Sequence, residues 1–206
     1  MPTNRAPERV EFPGSHGTPL AGRLELPADE PLAYALFAHC FTCGKDAVAA
    51  TRISRALTES GIAVLRFDFT GLGQSGGDFA NSNFTSNVED LVGAARFLGE
   101  TRRAPSILIG HSLGGAAVLA AADRIRDVRA VVTIGAPADP RHVLGLFGDQ
   151  LSDLQGGESA EVTLGGRPFR VGRQFVEDLD AQRQEERLAR LEAALLVLHS
   201  PTDRIV

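Results

Sequence analysis

The sequence predicts an α/β fold: a three-layer sandwich with a mostly parallel sheet between helices. Three observations carry this. Short apolar runs at 35–38, 62–65, 107–109, 130–134 and 195–198 lack the alternation of a half-exposed strand, as strands buried on both faces do. Segments of helical period separate these runs from about residue 35 to 135, the pattern of βαβ units. Near the centre, one run passes through Gly110-His111-Ser112-Leu113-Gly114 into a helix of small residues.

Each element has its own signal. Residues 9–12 and 20–26, around a turn at 14–17 that includes His16, predict an antiparallel hairpin at the sheet edge. Residues 1–8 read as a loose terminus. In 46–60, Val48, Ala49, Ile53 and Leu57 share a helical face, and Gly61 stands at the stop. Phe84, Val88, Leu91, Ala95 and Leu98 follow 4-3-4-3 spacing, with Ser86 and Glu89 spelling a capping box. Residues 113–123 predict an Ala-rich helix packed close to the sheet. The rhythm breaks at 137–172, which reads as an insertion or lid, and 175–194 reads as a charged helix with Phe175, Leu179 and Leu188 inward.

The chain of 206 residues is one domain by length, 1–206, with net charge −5. An acidic balance excludes a nucleic-acid platform, which needs a basic face. The chain carries no apolar run of the length that spans a bilayer, and its start has no signal-peptide core. With two cysteines and no disulfide framework, the expected location is cytoplasmic. Lys45 is the sole lysine among 21 basic residues.

The chemistry concentrates at Ser112. In G-x-S-x-G the serine occupies a sharp strand-to-helix turn, and the residues two away must lack a Cβ. Gly110 and Gly114 meet that need. The hydroxyl then stands above the carboxyl edge of the sheet, and the Leu113 amide, first in the helix, faces a developing oxyanion.

The loop His39-Cys40-Phe41-Thr42-Cys43, the stretch Asp68-Phe69-Thr70-Gly71-Leu72-Gly73-Gln74-Ser75 and the loop His199-Ser200-Pro201-Thr202-Asp203 resemble the H-G-x, D-x-x-G-x-G-x-S and H-G-x-x-D loops of the α/β-hydrolase superfamily. The first of these, the stretch 67–79 and Ile134–Pro140 are similar to the hydrolase half of bifunctional α/β-hydrolase/OsmC proteins. The resemblance implies an α/β-hydrolase sandwich with Ser112 as nucleophile and Asp203 as the acid of the triad. The backbone N–H groups of Phe41 and Leu113 would form the oxyanion hole, although Cys40 replaces the family's glycine. It implies a small-molecule acyl substrate, no cofactor, no metal, and an OsmC-type domain as fused or separate partner.

The triad order is serine, acid, histidine, and only three residues follow Asp203. The expectation is a fragment, with the catalytic histidine, a final strand and a helix downstream. The five histidines read otherwise: His16 in a turn, His39 and His199 closing strands, His111 inside the elbow, His142 in the insertion. Asp139 is a fallback acid that reads better as a turn residue. If the chain ends at Val206, the apolar free side of its last strand predicts poor solubility or a homo-oligomer.

Two motifs compete. Gly71–Gly76 spells a dinucleotide fingerprint, but residues 78–85 intervene before the helix that would hold a pyrophosphate. Cys40 and Cys43 form a C-x-x-C between strand and helix, as a thiol-redox pair would, and no further cysteine exists to complete a metal tetrad. Asn83-Phe84-Thr85 spells a glycosylation sequon and reads as helix-capping residues. Three readings follow: a serine hydrolase, a non-catalytic hydrolase-like module serving a partner domain, and a Cys40/Cys43 redox protein.

Overall fold

A computed structural model describes residues 5–206 except His16, Thr42 and Gly165. The expectations for residues 1–4 and for His16 lie outside the described residues. The main sheet has seven strands: β1 (Glu8–Pro13), β2 (Pro19–Glu25), β3 (Ala33–Ala38), β4 (Ile62–Phe67), β5 (Ile107–His111), β6 (Ala130–Ile134) and β9 (Ala194–Leu198). Their spatial order is β1-β2-β4-β3-β5-β6-β9. The pairs β1–β2 and β2–β4 are antiparallel, and the rest of the sheet is parallel. The N-terminal hairpin and the α/β sandwich are as the sequence predicts.

Helices cover both faces. On one face α1 (Val48–Glu59) packs over Ala35, Phe37, Val64 and Ile109. On the other, α2 (Phe84–Thr101) and α3 (Leu113–Ala121) close the larger core. Every residue of α3 is buried. A helix enclosed on all sides requires small side chains, which explains its run of Gly and Ala.

Several local expectations are corrected. The buried face of α1 is Ala50, Ser54 and Thr58, with Val48 66% exposed. The smaller side chains face the sheet, where a helix lying close to β4 leaves little room. The capping box of α2 is Asn83 with Ser86: the Asn83 side chain accepts from the Ser86 amide at 2.7 Å, and Ser86 Oγ accepts from the Asn83 amide at 2.9 Å. Glu89 instead pairs with Arg124 at 2.8 Å.

The 137–172 insertion is ordered. It comprises a 3₁₀ turn (Pro140–Phe147), α4 (Gln150–Gly156) and an antiparallel hairpin of β7 (Ser159–Leu164) and β8 (Arg167–Gly172). Its Phe147, Leu154, Val162, Leu164 and Val171 join the main core. The predicted helix over 175–194 is two helices, α5 (Arg173–Asp180) and α6 (Gln184–Ala189). The Asp178 carboxylate holds α5 against the start of α2, accepting from the Thr85 amide at 2.7 Å. Gln184 Nε2 donates to the Ala116 carbonyl at 3.1 Å and ties α6 to α3. Strand β9 departs from its expected burial: Leu195, Leu196, Val197 and Leu198 are 42–58% exposed. It pairs with β6 on one side, and no described helix covers its faces as α1, α2 and α3 cover the central strands.

The tightest joint lies where α3 meets the end of β3. A Cβ on Gly114 would stand 2.4 Å from the His39 carbonyl oxygen and 2.6 Å from that of Ala38. Backbone atoms cannot move aside as a flexible side chain does. Gly114→Ala is therefore expected to destabilise the fold by at least about 1–3 kcal/mol. A melt followed by far-UV circular dichroism would read this as a drop of roughly 2–4 °C per kcal/mol. An unchanged midpoint would refute the backbone contact.

Candidate active site

The carboxyl ends of the parallel strands carry the loops that build the site. Ser112 sits between β5 and α3 at φ 54°, ψ −127°, a backbone region that costs a non-glycine residue about 1–3 kcal/mol. The Ser112 amide donates to the Ile134 carbonyl at 2.9 Å, and the Ser112 carbonyl accepts from Gly115 at 2.8 Å. Gly110 makes the turn sterically possible, since a Cβ there would lie 2.3 Å from the Gly114 carbonyl oxygen. Ser112 is only partly buried, so its hydroxyl is reachable from solvent. No hydrogen bond to another described residue engages the Leu113 amide, and it opens α3 at the positive end of the helix dipole.

The loop after β3 lies alongside. His39 is buried, and its Nδ1–H donates to the Cys40 carbonyl at 2.7 Å. Because the amide of a trans peptide points opposite to its carbonyl, this bond turns the Phe41 N–H away from His39. Burial holds the His39 pKa below the ordinary histidine value, opposed by the Cys40 hydrogen bond and by Asp68. The Phe41 ring is buried at 5.1 Å from both Phe79 and Phe175, so the segment after β4 and α5 clamp this loop, with Phe169 and Phe147 of the insertion behind those two rings. Cys40 and Cys43 are joined in a disulfide, where the sequence alone predicts loop thiols or a redox pair and no structural bond. Their ring-closing distance follows from the turn in which the Cys43 amide donates to the Cys40 carbonyl at 3.1 Å.

Beneath this loop lies a buried charge network that sequence reasoning does not anticipate. Lys45 Nζ donates to Asp68 Oδ2 at 2.7 Å and to Gln74 Oε1 at 2.9 Å, and the Lys45 amide donates to Asp68 Oδ1 at 2.7 Å. Arg66, also buried, pairs with Glu25 and donates to the Lys45 carbonyl. Burial pushes the Asp68 pKa up, but the hydrogen bonds from Lys45 and Gln74 outweigh it and hold the carboxyl below its ordinary range. The available signal is the solitary lysine, marked by its position beside C-x-x-C. One glycine of the dinucleotide-like motif packs on this carboxylate: Gly73 has φ +56°, and a Cβ there would lie 2.2 Å from Asp68 Oδ2. The space a phosphate would need is filled by the protein's own anion.

Asp203 lies in the loop after β9, one strand beyond β6, whose Ile134 carbonyl receives the Ser112 amide. Asp203 Oδ1 accepts from the amides of Ile205 at 2.8 Å and Val206 at 3.1 Å. These bonds hold its pKa below the ordinary carboxylate value. Its Oδ2 lies 3.7 Å from His199 Nε2. His142 Nε2 is 2.6 Å from the Ile205 carbonyl oxygen, and Asp139 caps the following 3₁₀ turn by accepting from the Arg141 amide at 2.8 Å. His111 is half-buried, with its pKa lowered by burial, and points toward the disulfide. A cleft of about 590 Å³, lined by Leu119, Ala136, His142, Leu188, Val197 and His199 among others, runs along β6 and β9. A larger cleft of about 970 Å³ lies by Leu26–Glu30 and Thr58–Gly61, around residues that precede β3 and β4. That is the amino end of the sheet, away from every loop described above.

No described helix is long and apolar enough to cross a membrane. A sequence profile of the Alpha/beta hydrolase family matches residues 35–204. The esterase domain of a Rhodothermus marinus protein is 52% identical, with a TM-score of 0.78, covering 98% of this chain and 79% of its own. Est1E from Butyrivibrio proteoclasticus, solved with ferulic acid, is 21% identical with a TM-score of 0.83, over 96% of this chain and 81% of its own. Alpha/beta hydrolase domain-containing protein 10 from mouse is 23% identical with a TM-score of 0.72, over 97% of this chain and 80% of its own. The last two likenesses concern the fold alone. A comparison with curated protein sequences finds no match.

The buried ion pair has a signed pH consequence. A carboxyl held below its ordinary pKa adds stability that is complete above about pH 4–5 and is lost as pH falls through the lower, folded-state value. Lys45→Met leaves Asp68 buried and unpaired, which costs about 3–5 kcal/mol. Urea unfolding at pH 7 should show that deficit, and it should shrink as the pH is lowered below about 4. A deficit independent of pH would contradict the assignment to Asp68.

Proposed function

The chain belongs to the alpha/beta hydrolase family, and on that premise we propose that it is a serine hydrolase acting on a carboxylic ester or thioester. The observation that carries this is the backbone of Ser112: a strained turn that lifts a reachable hydroxyl beside an unengaged helix N-terminal amide. Strain of this kind persists where the surroundings enforce it, and it gathers at reactive positions.

In this reading Ser112 Oγ attacks the acyl carbon. The amides of Leu113 and Phe41 hold the oxyanion, and water later releases the acyl-enzyme. Asp203 orients the base, a role the triad logic gives to a histidine. Two of the described histidines have other engagements: His39 with the Cys40 carbonyl and His142 with the Ile205 carbonyl. The relative named an esterase domain, at 52% identity, supports ester cleavage. The finer likeness to OsmC-linked hydrolases adds an OsmC-type domain as the expected partner.

The test is active-site labelling of the full-length protein with a fluorophosphonate. The label is expected on the Ser112 peptide, and Ser112→Ala should abolish it while lowering hydrolysis of short-chain nitrophenyl esters at least about 10³-fold. Asp203→Asn should lower the rate by a comparable order at unchanged fold. Wild-type hydrolysis in Ser112→Ala would overturn the proposal.

A further inference from the structure

The mechanism above gives no role to the side chains of Cys40, Cys43 and His111. The sulfurs of Cys40 and Cys43 and a ring nitrogen of His111 all lie within 4.8 Å of one another. All three residues are partly exposed. The His111 ring makes no hydrogen bond to another described residue. Two cysteines alone make no metal tetrad, but the fold supplies a different third ligand, because β3 and β5 are neighbours and Gly110 pairs with Ala38.

We infer that reduction of the Cys40–Cys43 disulfide opens a three-ligand site for a thiophilic divalent cation such as Zn²⁺, formed by both sulfurs and the His111 imidazole. In the oxidised chain the two sulfurs are bonded to each other. An external dithiol breaks that bond by exchange. One of its thiolates attacks a cysteine sulfur, and its second thiolate resolves the mixed disulfide. The reagent leaves as its own disulfide, and two electrons and two protons stay on Cys40 and Cys43. Binding of the cation then releases both thiol protons to solvent, since thiolates are the ligands.

The geometry suits that ion. Bonds of about 2.3 Å to sulfur and about 2.0 Å to nitrogen in a tetrahedron place the donors roughly 3.5–3.8 Å apart. The sulfurs, 2.02 Å apart while bonded, must separate by about 1.7 Å, and the imidazole nitrogen, within 4.8 Å of them, must approach by up to about 1.3 Å, which side-chain rotation about the Cys40–Cys43 turn provides. Two sulfurs and one imidazole with the fourth position open are the donor set of an accessible zinc site, and such a set disfavours Mg²⁺ and Ca²⁺. The positive charge of Lys45, two residues on, is already paired with Asp68 and Asp46. The bound cation would bridge the Phe41 loop to the residue before Ser112.

The experiment reads metal binding, so its outcome is separate from ester hydrolysis. The full-length protein is titrated with Co²⁺ alone, oxidised and after dithiol reduction with removal of the reductant. The reduced wild type is expected to bind one Co²⁺ with thiolate-to-metal charge-transfer absorption, and the oxidised form and Cys40→Ser/Cys43→Ser are expected to show none. His111→Gln should weaken binding at least about tenfold. X-ray absorption on the Zn²⁺-loaded, reduced wild type provides the same information without a variant, and should show two sulfurs and one imidazole. The proposal is overturned if thiol titration finds both cysteines free yet no charge-transfer band appears. It is equally overturned if the zinc spectrum lacks either sulfur or imidazole.

Discussion

The contact between Gly114 and the carbonyls of Ala38 and His39 is the constraint on which the rest depends. It presses the first turn of α3 onto the end of β3, so that the Ser112 turn and the Phe41 loop become neighbours. The serine's positive φ is the cost, on the order of 1–3 kcal/mol. Burial of all nine residues of α3 offsets it. At about 25 cal/mol per Å² of apolar surface, even small side chains contribute when every one is enclosed. A bulkier helix would lose this proximity, because its side chains would hold α3 away from the sheet.

The loop that meets α3 is held from below by charge and from above by aromatic rings. A buried ion pair is not in itself a source of stability, since desolvation opposes the Coulomb gain. Lys45 and Asp68 instead tie three segments together. The lysine belongs to the loop after β3, the aspartate follows β4, and Gln74 closes the turn that the glycines allow. Removing either charge would leave the other stranded, so the arrangement is specific. Above, Phe41 meets Phe79 and Phe175, with Phe147 and Phe169 behind them. The insertion thus backs the two rings that hold Phe41, with its own hydrophobic contribution to the core. The Cys40–Cys43 disulfide adds a covalent closure to the same loop.

The architecture is legible in the sequence because its signals are local. Period 2, period 3.6 and unbroken apolar runs are written in consecutive residues, and each of the seven strands of the main sheet falls where such a run lies. The elbow is legible for the same reason, since a strand, two glycines and a small-residue helix are adjacent in the chain. Where several local signals compete, the sequence does not choose between them. Ser86 with Glu89 and Asn83 with Ser86 both spell a cap, and packing of Phe84 into the core selects the earlier start. Val48 and Ala49 satisfy a helical face as well as Ala50 does, and the closeness of α1 to the sheet chooses the smaller side chains.

By itself, the sequence determined the seven strands of the main sheet and the three helices between them along the chain, the α/β class, and the turn in which Ser112 stands. Tertiary structure decided which distant residues meet. It placed Lys45 against Asp68, Phe41 between Phe79 and Phe175, and His111 beside Cys40 and Cys43. The physical reason is the reach of each interaction. Backbone periodicity is fixed by a residue and those within about four of it. Ion pairs, ring contacts and burial depend on sheet order, which brings together residues that no sequence spacing connects.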